Sequence, residues 1–207
     1  MRIAVLGGTG DMGSAIAGRL SRSHSVIIGS RDPEKAKAAA SKMAGASGDS
    51  YEGASSLCEA AILAVPYEAM GVASRLAEPL AGKLVVSVIN PLKFEGGALR
   101  YGLETGSAAE QLARMLPDSG VATAFNGIPF GMLHGEDEIH ADVLVASTSK
   151  EAFEQAASLV RSVPSLKPLY AGPIVEAQAV ERITPLLLNL ARWNRSPALT
   201  TRFVPMS

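Results

Sequence analysis

The segment Gly8-Thr9-Gly10-Asp11-Met12-Gly13 constrains this chain more than any other. It sets three glycines at G-x-G-x-x-G spacing, after the short apolar run Arg2–Leu6 and before a pattern in which Met12, Ala15, Ile16 and Leu20 recur at helical intervals. In a strand–turn–helix unit the first glycine permits a tight turn. The second lets a phosphate approach the main chain, and the third lets helix pack closely on strand. The N–H groups at such a helix start carry a partial charge of roughly +0.5 and face an anion. Gly8, Gly10 and the start of the helix therefore read as the pyrophosphate cradle of a dinucleotide site. Asp11 reads as the N-cap of the helix, with its main-chain N–H left for the ligand.

The rest of the chain supplies the frame this motif needs. Ser25–Ile28, Ala60–Val65 and Leu84–Ile89 are further apolar runs, and helical patterns at Asp32–Ala44 and Tyr67–Leu80 lie between them. Asp32 is the expected cap of the first of these helices, with Pro33 at its first position. Strands apolar on both faces and alternating with helices form a parallel sheet covered on both sides. Asn90–Gly106 reads as a long glycine-containing loop. Ser107–Met115 and Ser149–Ser162 read as helices, and Gly120–Phe125, Asp142–Ser147 and Leu166–Tyr170 as strands. The expected fold is α/β: a Rossmann-like, doubly wound, mostly parallel sheet over residues 1–172. A C-terminal helical segment, residues 173–207, completes the substrate pocket. Within it Ile174–Trp193 is a long apolar helix carrying Pro185, where a kink is expected. A helix apolar on most of its circumference must be buried, which points to a homodimer.

The second strand ends Ile28-Gly29-Ser30-Arg31, with no acid at the place where NAD-binding chains bond the ribose 2′-hydroxyl. A hydroxyl and a guanidinium stand there instead, and Lys35 follows one helical turn later. Ser30, Arg31 and Lys35 suit a 2′-phosphate, so the dinucleotide is NADP(H). A formal net charge of -1 gives no electrostatic case for nucleic acid or an anionic membrane surface. The apolar runs are too short to span a bilayer. A single cysteine, Cys58, rules out an internal disulfide and fits a reducing cytoplasm. His24, His134 and His140 are scattered without metal-ligand spacing and read as surface residues, and no catalytic acid–base set or metal site stands out.

Beyond these features the chain resembles the F420-dependent NADP reductases over nearly its whole length. The resemblance is carried by GGTGDMG, IIGSRDPEKA, ILAVPYEA, VVSVINPLKF, GSAAEQLARMLP, FNGIPFGML, LKPLYAGPIVEA and TPLLLNLARWN. It implies reversible hydride transfer between NADP(H) and the deazaflavin coenzyme F420, a small-molecule co-substrate. By the same resemblance Thr9, Gly10, Asp11 and Met12 lie at the pyrophosphate, and Ser30, Arg31 and Lys35 at the 2′-phosphate. Val65 after the fourth strand and Asn90 after the fifth flank the nicotinamide, while Ile128, Phe130 and Leu199 hold the deazaflavin ring. Asp11, Asn126 and Phe130 depart from the family pattern, which carries Asn, His and a small residue there. Lys93, Arg100, Arg192 and Arg195 are candidates for the phosphate and glutamates of the deazaflavin side chain. Read without the resemblance, the residues leave open an NADPH-dependent reductase of a flavin, of ferric ion through a flavin, or of an imine. They also leave open an NADPH-binding protein without turnover.

Overall fold

Side chains of the first strand alternate between two hydrophobic clusters: Ile3 and Val5 enter one, Ala4 and Leu6 the other. Both faces of the sheet must therefore be covered, and the chain order shows how. In this computed structural model, which describes residues 1–204, β1 (Arg2–Leu6) passes through the glycine turn into α1 (Asp11–Leu20). There follow β2 (Ser25–Ser30), α2 (Pro33–Ala40), β3 (Ala46–Ser50), α3 (Tyr51–Leu57) and β4 (Ala60–Leu63). A 3-10 helix (Tyr67–Leu76) and the short α4 (Ala77–Leu80) lead to β5 (Leu84–Ser87). Then come a hairpin of β6 (Leu92–Glu95) and β7 (Ala98–Tyr101), α5 (Ala108–Met115), β8 (Gly120–Thr123) and α6 (Phe130–His134). The chain continues through β9 (Ala141–Ser147), α7 (Lys150–Arg161), β10 (Leu166–Pro173), a 3-10 turn (Ile174–Glu176) and α8 (Ala177–Trp193). The last three residues of the expected C-terminal segment, 205–207, lie outside the described residues.

The main sheet has eight strands in the order β10-β9-β8-β5-β4-β1-β2-β3. Every pairing is parallel except β8 with β9. One face is closed by α1, α2 and α7, through residues such as Ile16, Ala36 and Leu159. The other is closed by α3, the 3-10 helix and α5, through residues such as Ala54, Leu76 and Leu112. The strand order reverses at β1: the chain winds outward to β2 and β3, then returns to β4 on the other side. In an open α/β sheet the crevice at the carboxyl ends of the strands flanking that reversal is where ligands bind.

Four expectations need correction. β3 and α3 lie in a polar stretch where no element was expected, because Ala-Ser-Gly-Asp-Ser carries no apolar alternation; it becomes a strand by pairing with β2 at the sheet edge. The expected loop Asn90–Gly106 contains the β6–β7 hairpin, turned by Gly96 and Gly97, both at positive φ. The expected helix Tyr67–Leu80 is 3-10 from Tyr67 to Leu76, with Gly71 in its middle disfavouring regular helix. The first residue of α1 is Asp11 and its N-cap is Gly10, with no side-chain cap, so Asp11 is not the capping residue. Asp32 does cap α2, accepting from the N–H groups of Glu34 and Lys35, and that helix ends at Ala40.

Candidate active site

The glycine turn is shaped by close approach. Gly7 adopts φ +90, and a side chain on Gly13 would run into the carbonyl of Gly7. These two positions press α1 onto β1. Gly10 differs, since a side chain there would find only the Gly7 carbonyl oxygen, at 3.6 Å. The space above Gly10 is open, and the first intrahelical bond beyond it runs from Ser14 N–H to the Gly10 carbonyl, 2.8 Å. The N–H groups of Asp11, Met12 and Gly13 precede that bond and meet no capping side chain. An anion with room to approach and donors to accept from is what this turn fits.

The turn is tied sideways to the end of β2: Gly7 N–H donates to the Gly29 carbonyl, 3.0 Å. Ser30 closes β2 and is buried, accepting from Asp32 N–H at 3.2 Å. Arg31 is exposed and has no hydrogen-bond or ion-pair partner among the described residues. Lys35 is exposed and lies 3.9 Å from Asp32. Ser30, Arg31 and Lys35 thus follow at the carboxyl end of β2, the strand whose Gly29 holds the glycine turn.

At the other end is a cavity of about 420 Å³, walled on one side by Gly10, Asp11, Met12, Val65 and Asn90 and on the other by Ile128, Phe130 and Leu199. Eight of the residues read from the sequence as touching pyrophosphate, nicotinamide or deazaflavin therefore share one wall-to-wall space. Among the described residues Asp11 is the only charged one lining it. Ala64 N–H donates to the Leu6 carbonyl at 2.8 Å, which places Val65 directly beside the glycine turn. On the opposite wall Phe125 turns the chain out of β8 at φ 63, a conformation rare for a bulky residue, with its ring buried. That turn directs Asn126-Gly127-Ile128-Pro129 along the cavity. Thr200 Oγ1 donates to the Gly127 carbonyl at 3.0 Å, and Thr201 pairs with Asp142 at the start of β9. These bonds seat Leu199 on the wall. Phe130 is half exposed at the rim, edge-on to His134.

Several residues that build the site escaped sequence reading. Arg19, at the far end of α1, is buried and donates to the carbonyls of Leu133 (2.8 Å), Met132 (3.0 Å) and Asp137 (2.9 Å). It ties the Phe130 segment to the helix that carries the glycine turn. Asn126 and Asn90, both singled out in the sequence, join Thr123 and Thr184, which were not, in a partly buried hydrogen-bond cluster at the back of the cavity. Glu181 of α8 is fully buried and accepts from the N–H groups of Ala108 and Ala109, both at 3.0 Å, and from the Tyr101 hydroxyl at 2.7 Å. Burial pushes its carboxyl up from the usual range although all three donors pull it down. Sequence signals for these were slight: an arginine on an otherwise apolar helix face, and polar residues inside apolar strings.

The suggested basic residues do not line the cavity. Lys93 pairs with Glu95 at 3.3 Å, and Arg192 donates to the Gly97 carbonyl and stacks on Phe94. Cys58 is buried, its thiol pushed up by burial. His134 and His140 are exposed as expected, whereas His24 has both ring nitrogens buried and unpartnered, and burial pulls its pKa down.

Comparison with known proteins gives a consistent result. A family model described as NADP oxidoreductase coenzyme F420-dependent matches residues 2–91. The F420-dependent NADP reductase of Methanothermobacter marburgensis is 39% identical over 211 residues, covering 94% of this chain and 94% of that one. That of Methanocaldococcus jannaschii is 34% identical over 205 residues, covering 92% of each. A crystal structure of a putative F420-dependent NADP reductase from Arthrobacter sp. FB24 superposes with a TM-score of 0.88 at 24% identity, covering 99% of this chain and 100% of that one. This last likeness bears on the fold.

Proposed function

Because the chain belongs to the F420-dependent NADP oxidoreductase family, we infer that it catalyses reversible hydride transfer between NADP(H) and the deazaflavin coenzyme F420. The observation that carries the inference is the cavity of about 420 Å³ that joins the glycine turn to the Ile128–Leu199 wall. Bound there, the pair would supply the chemistry: NADPH would give a hydride from C4 of the nicotinamide to C5 of the deazaflavin, with one proton drawn from solvent to complete the reduced deazaflavin. The protein contributes orientation and exclusion of water rather than a nucleophile.

We assign the turn Gly8-Thr9-Gly10, with the main-chain N–H groups of Asp11 and Met12, to the pyrophosphate. Ser30, Arg31 and Lys35 take the 2′-phosphate, each charge-assisted bond worth about 1.5–3 kcal/mol. Val65 and Asn90 flank the nicotinamide, and Ile128, Phe130 and Leu199 hold the acceptor ring. In this reading residues 1–172 are the nucleotide-binding unit and 173–207 close the acceptor pocket. We also propose a homodimer through α8 and a cytoplasmic setting, the latter on the strength of the free buried thiol of Cys58. Among the described residues no helix is long and apolar enough to cross a membrane.

Mixing the protein with NADPH and oxidised F420 should bleach the visible absorbance of the deazaflavin. Persistence of the colour, with a flavin reduced instead, overturns the choice of acceptor.

A further inference from the structure

The hydrogen-bond cluster behind the cavity has one orientation that sets no two like groups against each other. Asn126 is buried, and its Nδ2 lies 3.2 Å from the Ile89 carbonyl and 3.0 Å from Asn90 Oδ1. A main-chain carbonyl can only accept, so the amino end of Asn126 must face Ile89. Its Oδ1 then accepts from Thr123 Oγ1 at 2.7 Å. The second amino proton of Asn126 points at Asn90, so the atom it meets there must be the acceptor, Oδ1. The Thr184 hydroxyl stands 2.9 Å from the same oxygen and 2.8 Å from the Asn126 carbonyl, with one proton to serve the two. Turning the Asn90 amide over would set two amino groups against each other. Its own amino group is thus left without a protein acceptor among the described residues, on a residue that lines the cavity.

We propose that Asn126 and Thr184 are positioning residues that hold the Asn90 amide with its amino group toward the cavity, where it donates to the carboxamide oxygen of the bound nicotinamide. The proposal rests on the reading of this cavity as the nicotinamide site. A nicotinamide carboxamide offers one acceptor and one donor, and a partner that can only donate selects the acceptor. A ring held by that oxygen cannot turn over. One face of C4 therefore stays toward the Ile128–Phe130 wall, and the hydride leaves from one face alone.

The test uses analogues of NADP and stereospecifically deuterated NADPH. The 3-acetylpyridine analogue keeps the carbonyl oxygen and lacks the amino group, while the thionicotinamide analogue replaces that oxygen by sulfur, a weak acceptor. The wild-type protein should bind the acetylpyridine analogue as well as NADP and the thio analogue about three- to tenfold more weakly. Asn90→Ala should bind all three alike. Thr184→Val, which keeps the side-chain shape, should lower kcat for NADPH more than it raises KM. It should also let deuterium from the normally retained face of C4 appear in the reduced deazaflavin, and Thr184→Ser should restore both. A wild-type preference for the thio analogue over the acetylpyridine one, or full stereochemical fidelity in both Asn90→Ala and Thr184→Val, overturns the proposal. Binding of the analogues is read without any acceptor. Discrimination between them without F420 turnover therefore counts against the acceptor assignment alone.

Discussion

Arg31 is the residue on which nucleotide choice turns. It stands free past the end of β2, with Ser30 and Lys35 beside it. Arg31→Ala should weaken NADPH binding by about one to two orders of magnitude, the worth of one charge-assisted phosphate contact, and leave NADH nearly unchanged. Titration by nicotinamide fluorescence measures both, and equal losses would remove the 2′-phosphate from this position. Asp11 acts in the opposite sense. Its carboxylate opens α1 beside the expected pyrophosphate, caps nothing, and is the one charged group among the described residues that lines the cavity. Asp11→Asn should therefore tighten NADPH by about three- to tenfold, the scale of one screened like-charge contact. Unchanged or weaker binding in the same titration would show that the carboxylate points away from the phosphates. Both residues were visible in the sequence, since motif spacing locates them. What Asp11 does was not visible, because the residue at which the helix starts is a matter of backbone geometry that spacing does not determine. Arg19 was hidden for a related reason: its partners are main-chain carbonyls far along the chain, and no residue type marks a carbonyl.

At the level of elements, Glu181 joins α8 to α5 and β7. It accepts from the first two N–H groups of α5, which Ser107 completes by accepting from Glu110 N–H. Burial raises its pKa, so the folded protein holds this proton more tightly than the unfolded chain does. The stability it lends is therefore greatest at low pH and shrinks as pH rises from the ordinary carboxylate range through the raised value. Glu181→Gln, which does not titrate and sets an amino group against a donor, should cost about 1–3 kcal/mol. It should also flatten the stability profile over that window. Denaturant unfolding of both proteins from mildly acidic to neutral pH gives the comparison, and parallel profiles would place the titration elsewhere. The strands that face two hydrophobic layers were legible, since continuous apolar runs such as Ile62–Leu63 and Val85–Val86 have no other stable use. The β6–β7 hairpin was not. Its register is held from outside by Asn189, whose amide bonds both Leu99 N–H (2.9 Å) and the Leu99 carbonyl (2.8 Å).

Taken as a whole, the molecule leaves an apolar face open. The buried side of α8 carries Glu181, Pro185 and Asn189, whereas Leu186 and Trp193 remain 54% and 61% exposed. The sequence reading of a helix that must be buried was sound in composition but assigned no side, because the polar residues turn inward to hold α5 and β7. A second copy covering the outer side would remove the leucines from water. Sedimentation equilibrium should give a mass near twice 21.4 kDa that falls on dilution together with a red shift of Trp193 emission. A mass of one chain at every concentration would end the dimer proposal.

The ten residues of α1 measure about 15 Å from the glycine turn to Arg19. That helix is a spacer bar with a grip at each end, one on the nucleotide and one on the loop that carries the acceptor wall. A residue inserted between the grips would swing Arg19 by about 100° around the axis and carry it off its three carbonyls. The gap between donor and acceptor is therefore written into the length of a single rigid rod, and neither half of the cleft can drift without the other.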